Sequence, residues 1–327
     1  YIVQTLEKYK KDNYIPTVSF SGGKDSSVVS RLVMDALQDN TVIHMFGDTT
    51  LEFHETYIYV NEKFRRENPR VPIIPSETEN DFFKMCKVFG PPSQHERWCC
   101  TIFKTSNLNK EYENLPGNSL TFLGIRHSES VARAGYDRTQ EISKISSQVN
   151  AMPIIEWKDY DVWLYILAKN LLINDCYQYG YKRVGCWCCP NNSDWSMMLT
   201  EIYHPDDMQR WKNMVYEFAE RTGKTDPDDY YEEGRWRTRR TTVIKVLPEE
   251  RIDATNLVNR IKCQMRKYQF CIRCSACDST CPHGAIDTIH GKYTIDENKC
   301  QHCKHCIAKF YNGCIMCDVL SSKKGSQ

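Results

Sequence analysis

The sequence has no apolar run approaching about 18 residues, so it offers no candidate for a membrane-spanning helix. It also lacks a charge excess. The 43 basic side chains nearly cancel 42 acidic ones and leave a net charge of +1. No global field then draws the chain to nucleic acid or to an anionic bilayer, and any basic surface is local. The opening residues, 1–16, lack the apolar core and small-residue cleavage site of a secretory leader. These absences give the expectation of a soluble, cytoplasmic protein with no membrane partner. The chain also starts without Met and in mid-pattern, as a piece of a longer natural chain would.

What is present is cysteine, 17 in 327 residues. Many are separated by two residues in a large chain expected to be intracellular, a pattern that argues metal rather than disulfides. A hydrophobic content of 41% supports a real core, and the length suits one large domain with a small appendix.

Apolar stubs at 17–20, 41–48, 71–77, 119–126 and 151–157 read as strands. Helical spacing of Val28, Val29, Leu32, Val33, Ala36 and Leu37, and the runs 54–67, 80–89 and 159–171, read as helices between them. The alternation predicts an α/β fold with a doubly wound, mostly parallel sheet, whose ligands sit beyond the carboxyl ends of the strands. Residues 193–262 read as a helical extension. Residues 263–320 form a cysteine-rich module, and 321–327 a solvated tail.

Ser21-Gly22-Gly23-Lys24-Asp25-Ser26 follows the first strand and opens the first long helix, where successive N–H groups suit an anion. It is not the common mononucleotide loop, since the Gly-x4-Gly-Lys-Ser/Thr spacing is missing. An ordinary strand-to-helix turn is the alternative for the loop taken alone. Residues 19–29 nevertheless resemble the pyrophosphate loop (PP-loop) of adenine-nucleotide α-hydrolases, and 46–56 resemble the second block of the phosphoadenylyl-sulfate reductase family within that class. Residues 123–133 resemble that family's arginine-bearing block, and 156–166 with 179–190 its closing segments. The resemblance spans about 15–195, inside an expected domain of 1–192. It implies an adenine nucleotide bound across the sheet. Ser21, Gly22, Gly23, Lys24, Asp25 and Ser26 would cradle phosphates, Asp48 would lie near the nucleotide or Mg²⁺, and Arg126 and Arg133 would approach the anionic end. Lys24, Asp25, Asp48 and Arg126 are the catalytic candidates. Glu52 and Glu129 read equally as helix-start charges or functional groups.

Cys99 and Cys100, followed by Cys186 and Cys189, resemble the 4Fe-4S site of adenylyl-sulfate reductases. Cys188 departs from that pattern, and a Cys-four zinc site is the alternative. Further on, Cys271-x2-Cys274-x2-Cys277-x3-Cys281-Pro282 matches the bacterial ferredoxin run, whose fourth thiolate serves the neighbouring cluster. The second triplet, Cys300, Cys303 and Cys306, lacks the following x3-Cys-Pro. The expectation is a two-cluster ferredoxin-like α+β domain with Cys271, Cys274, Cys277 and Cys314 on one cluster. Cys300, Cys303, Cys306 and Cys281 hold the other, with Cys317 as an alternative fourth ligand. Three 4Fe-4S clusters in all imply an electron donor. Cys86, Cys176 and Cys263 read as core thiols.

The Lys24-bearing loop suits ATP with Mg²⁺, so the favoured reaction is α-phosphate activation with pyrophosphate release, linked to sulfur transfer. The alternative is reduction of adenylyl sulfate or phosphoadenylyl sulfate to sulfite. The Glu-Cys-Gly-x-His segment of the thiol-dependent reductases is absent. A non-catalytic nucleotide-binding or redox-sensing subunit is the reading from another class. Partners would be the nucleotide, the electron donor, and a nucleic acid or sulfur-donor protein. Arg235, Arg237, Arg239 and Arg240 around Trp236 would grip a phosphate backbone, or else offset the acidic stretch before them.

Overall fold

The computed structural model describes residues 1–141, 145, 147–224, 226–238, 267, 271, 274, 277, 281–288, 293–303 and 306. Two compact units divide them. The first comprises Tyr1–Thr78, Asn107–Cys188 and Asn192–Tyr203, and the second Glu79–Ser106, Cys189–Asn191 and the residues from His204 onward.

The first unit is built on a six-stranded sheet: β1 Ile15–Phe20, β2 Ile43–Phe46, β3 Ile73–Pro75, β4 Ser119–Phe122, β5 Thr139–Gln140 and β6 Gln148–Ala151. The order is β3-β2-β1-β4-β6-β5, parallel except for β5 against β6. The chain leaves β1 toward β2 and β3, then returns to β4 on the other side. The strand order therefore reverses between β1 and β4, which opens a crevice at their carboxyl ends. Central strands of such a sheet are covered on both faces, and in β1 Val18 and Phe20 on one face and Thr17 on the other are almost fully buried. The polar positions of β1 and β4 satisfy one another, Thr17 Oγ1 standing 2.7 Å from Ser119 Oγ and 2.9 Å from Thr121 Oγ1.

Helix α1 spans Ile2–Lys10, and α2 spans Lys24–Leu37 with Val28, Val29, Val33 and Met34 facing the core. The helix expected over 54–67 is continuous but changes pitch. His54–Ile58 is α, Tyr59–Phe64 is a π-type stretch and Arg65–Glu67 is α again. The strand expected at 151–157 lies earlier, at β6. Met152, Ile154 and Ile155 are buried, but Pro153 offers no N–H for a ladder, so the apolar run packs as a turn. The antiparallel edge strand β5 had no counterpart in the sequence reading.

His44 sits within β2 with its ring wholly buried. Its Nδ1–H donates to Val42 O at 2.8 Å, which leaves Nε2 to accept from Ser30 Oγ at 2.7 Å. Burial pushes its pKa down to about 4, opposed in part by the bond to Val42. The unfolded imidazole titrates near 6.5, so between these values the unfolded chain holds more protons. Stability from this group is complete above about pH 6.5 and falls as pH drops toward 4, by roughly 3 kcal/mol in all. Thermal melts of wild type and His44→Gln across pH 4–7 should show a flatter acid limb in the variant; parallel limbs would exclude His44 as the source.

In the second unit, the helices Phe82–Phe89 and Pro205–Arg221 contribute to an aromatic core. Phe82 stacks on Trp98 and on Trp211, with centroids 5.6 and 5.9 Å apart, and Trp211 meets Trp236 edge-on at 5.0 Å. Two short strands, β7 Ile286–Asp287 and β8 Thr294–Ile295, pair antiparallel. Cys277, Ile286 and Tyr293 form a small core there, with Cys271, Cys281, Ile295 and Cys306 against it.

Candidate functional site

The loops after β1 and β4 meet at the switch point. Gly22 turns with φ +69°, and its missing Cβ would come 3.0 Å from Val60 and 3.1 Å from Thr56, so the turn needs glycine. Ser26 Oγ donates to Gly23 O at 2.8 Å and lies 3.2 Å from Ser21 Oγ. Helix α2 then starts at Lys24, whose N–H donates to Tyr177 Oη at 2.8 Å. Gly124 lets the β4 loop lie directly on this turn. A Cβ there would stand 2.8 Å from the carbonyl carbon of Asp25 and 2.9 Å from Ser26 N.

Two buried cations occupy the junction, Lys24 at 2% exposure and Arg126 at 5%. Lys24 Nζ lies 3.3 Å from Asp25 and 3.1 Å from Asp159. Arg126 forks between the same carboxylates, with Nε 2.6 Å from Asp25 and Nη2 3.0 Å from Asp159. Burial by itself would raise the Asp159 carboxyl, but the hydrogen bonds and charges of Lys24 and Arg126 outweigh it and hold it below the ordinary carboxylate range. Tyr177, beneath the loop, is pushed well above the ordinary phenol value by burial, against the opposing pull of the Lys24 N–H, so its hydroxyl keeps its proton at neutral pH.

Glu129 resolves as an organiser of cations. One carboxylate oxygen accepts from the Arg126 N–H at 3.0 Å and pairs with Arg133, while the other accepts from Arg183 at 2.9 Å. Arg133 thus pairs with Glu129, four residues before it, and not with a carboxylate of the Lys24–Arg126 junction. Asp48, beyond β2, uses Oδ1 to accept from Thr50 N at 2.7 Å and Tyr57 Oη at 2.8 Å. That bond stabilises Thr50 at φ +61°, a costly conformation for a β-branched residue. Glu52 accepts from Thr49 Oγ1 at 2.9 Å, and Thr49 Oγ1 lies 3.2 Å from Cys186 Sγ. A backbone bridge between Glu52 and Cys186 and a bond from Trp187 N to Leu51 O at 3.0 Å bind the cysteine segment to this loop.

A family model described as the phosphoadenosine phosphosulfate reductase domain matches residues 15–192, the span that carries all of this geometry. The chain belongs to that family. Among curated relatives of this reductase-family chain, an uncharacterized protein of Methanocaldococcus jannaschii is 35% identical over 72% of this chain and 48% of its own length. An adenosine 5'-phosphosulfate reductase of a Geobacillus strain is 26% identical over 55% of this chain and 73% of its own. The chain spans about half the length of the two M. jannaschii relatives it matches. A solved phosphoadenylyl-sulfate reductase from Candida auris, in a phosphate complex, aligns at 19% identity with a TM-score of 0.42 over 57% of this chain and 88% of that one.

The sequence reading of this reductase-family domain missed Gly124, Tyr177 and the pairing role of Asp159, which it took only for a helix start. The signal for Gly124 was a glycine just past a strand end and two residues before the arginine. Of the cysteines, Cys186 and Cys188 fall in the first unit and Cys99, Cys100 and Cys189 in the second. Cys176 is a core thiol: burial first, then the Glu55 charge, raises its pKa far above the ordinary value. Cys86 is equally buried. No group of three or more His, Cys, Asp or Glu side chains among the described residues is arranged to hold a metal ion. Cys306 nevertheless lies within electrostatic range of Cys281, Cys303 and Cys300. Burial raises its pKa, Lys267 lowers it, and those three thiols raise it. Cys263, Cys314, Cys317, Arg239 and Arg240 lie outside the described residues. Arg235 pairs with Glu233 at 2.6 Å, and Arg237 Nε donates to Pro190 O at 3.2 Å, so both are engaged within the second unit. No described helix is long and apolar enough to cross a membrane.

Proposed function

We propose that the chain reduces a sulfonucleotide of the adenylyl-sulfate type, with the phosphosulfate held at the Lys24–Arg126 junction and electrons arriving through the C-terminal cysteine module. The observation that carries this reading is the charge balance of the site. Four cations, Lys24, Arg126, Arg133 and Arg183, face three carboxylates, Asp25, Asp159 and Glu129. So small a surplus, one charge with Asp159 in place and two without it, suits a phosphosulfate better than a bare triphosphate, and the named reductases among the relatives agree with it. In the reaction the sulfur–oxygen bond breaks, AMP leaves with the bridging oxygen, and sulfur takes up two electrons to become sulfite. Arg126 and Lys24 would stabilise the charge that gathers on the departing phosphate oxygen.

The thiolate sets expected from spacing would hold the groups that carry the electrons. Lys267 supports one of them. The residue is 1% exposed, and its ammonium donates to Cys306 O at 2.9 Å and lies 5.1 Å from the centre of the Tyr293 ring. No described carboxylate pairs with it, and a buried cation is costly unless compensated. Deprotonated Cys281, Cys300, Cys303 and Cys306 would compensate it. When bound there, a 4Fe-4S cluster supplies single electrons.

The intact Ser21–Ser26 loop favours a second reading, in which ATP with Mg²⁺ is cleaved at its α-phosphorus with pyrophosphate release and sulfur transfer. One anaerobic assay separates the two. Iron-loaded protein with a low-potential reductant should convert adenylyl sulfate to AMP and sulfite without ATP. Pyrophosphate from ATP, with no sulfite from adenylyl sulfate, would overturn the reductase reading.

A further inference from the structure

We infer that Asp159 is a displaceable counterion, which holds Lys24 and Arg126 in the free protein and yields them to the anionic group of the nucleotide; this rests on the nucleotide reading of the Ser21–Ser26 loop. The two carboxylates that share these cations differ in how firmly they are fixed. Asp25 belongs to the first turn of α2, lies under Gly124 and has a side chain only 19% exposed. It also takes the shorter bond to Arg126, 2.6 Å against 3.0 Å for Asp159. It stays with the cations whatever binds.

The Asp159 side chain is 60% exposed. It opens the helix Asp159–Ala168, where a first-turn carboxylate is usually spent on capping. Here Asp161 does that work, accepting from Lys158 N at 2.8 Å. Among the described residues, the ion pairs with Lys24 and Arg126 are therefore the polar bonds of the Asp159 side chain, and rotation into solvent restores its hydration. An incoming phosphate or phosphosulfate replaces both pairs with charge-assisted bonds of its own. A neutral nucleoside brings nothing to replace them, so the exchange selects anions. Without either carboxylate or ligand, one buried cation would lack compensation, which is costly. Asp159 thus stabilises the free protein and competes with the ligand.

These two roles predict changes of opposite sign, which a merely structural residue or a ligand-binding one would not give. Wild type, Asp159→Asn and the charge-conserving Asp159→Glu would be melted without ligand, then titrated calorimetrically with inorganic pyrophosphate and with adenosine in metal-free buffer. Asp159→Asn should melt lower yet bind pyrophosphate about tenfold more tightly. Asp159→Glu, which keeps the charge but loosens the pairs, should fall between wild type and Asp159→Asn in both, and adenosine affinity should be the same in all three. Pyrophosphate affinity unchanged or weakened in Asp159→Asn overturns the inference. If Asp159→Asn fails to fold, Asp159→Glu decides, since its longer reach loosens the pairs: weaker pyrophosphate binding than wild type overturns the counterion role. A wild-type protein that binds neither pyrophosphate nor adenylyl sulfate overturns the nucleotide reading itself.

Discussion

Arg126→Ala is expected to abolish nucleotide binding and to lower the melting temperature by on the order of 6–12 °C, the equivalent of about 3 kcal/mol in a unit of this size. The guanidinium touches both carboxylates of the junction through separate nitrogens, and it also donates to Ser128 Oγ at 3.2 Å. Removing it leaves Asp25 and Asp159 to share Lys24 and replaces a buried fork with a cavity. The loss stays at the lower end for a broken buried pair because Asp159 faces solvent. Arg126→Lys should recover little, since an ammonium cannot span the two carboxylates as the planar fork does. Calorimetric titration with adenylyl sulfate and a thermal melt measure both effects. Wild-type affinity in Arg126→Ala would remove the residue from the site.

The second large effect comes from the smallest change. Gly124→Ala adds one methyl group, but its Cβ would stand 2.8–2.9 Å from three backbone atoms of Asp25 and Ser26. Backbone cannot rotate aside as a side chain does, so either the β4 loop or the first turn of α2 must move. Overpacking of this kind costs about 1–3 kcal/mol, and a displacement approaching 1 Å at the reacting centre costs on the order of 10²-fold in turnover. Gly135→Ala is the control, because nothing lies within 4 Å of a Cβ there; it should change stability by less than roughly 0.5 kcal/mol. Equal activity in the two variants would show that the β4 loop does not set the position of the Lys24 turn.

The sheet was legible because its central strands are short apolar stubs, and the helix that follows β1 carries a clear 3.6-residue stripe. Val28, Val29 and Val33 are all fully buried, as their spacing required. The 151–157 segment misled because burial and strand pairing leave the same apolar signature, and only the missing N–H of Pro153 separates them. The residues gathered at the switch point were legible as a loop and an arginine block. Their pairing was not. A sequence shows that Asp159 can start a helix and that Glu129 follows an arginine, but not that Asp161 takes the capping bond or that Glu129 binds two further arginines. Those facts depend on side-chain directions set by packing. The ferredoxin-type cysteines stand at the other extreme, since their spacing alone carries the expectation.

The loop that reads as the most local motif in the chain is among the least local in space. Its helix-opening N–H is held by a hydroxyl 153 residues away, its aspartate by a guanidinium 101 residues away, and its lysine by a carboxylate of the helix at 159–168. A chain ending before Asp159 contains the whole Ser21–Ser26 string and strands β1, β2, β4 and β6, yet neither Asp159 nor Tyr177. Closure of the cradle therefore waits on contacts of long sequence separation, whose loop entropy must be met first. During synthesis the residues that define the motif emerge early, and the anion site they define is completed late.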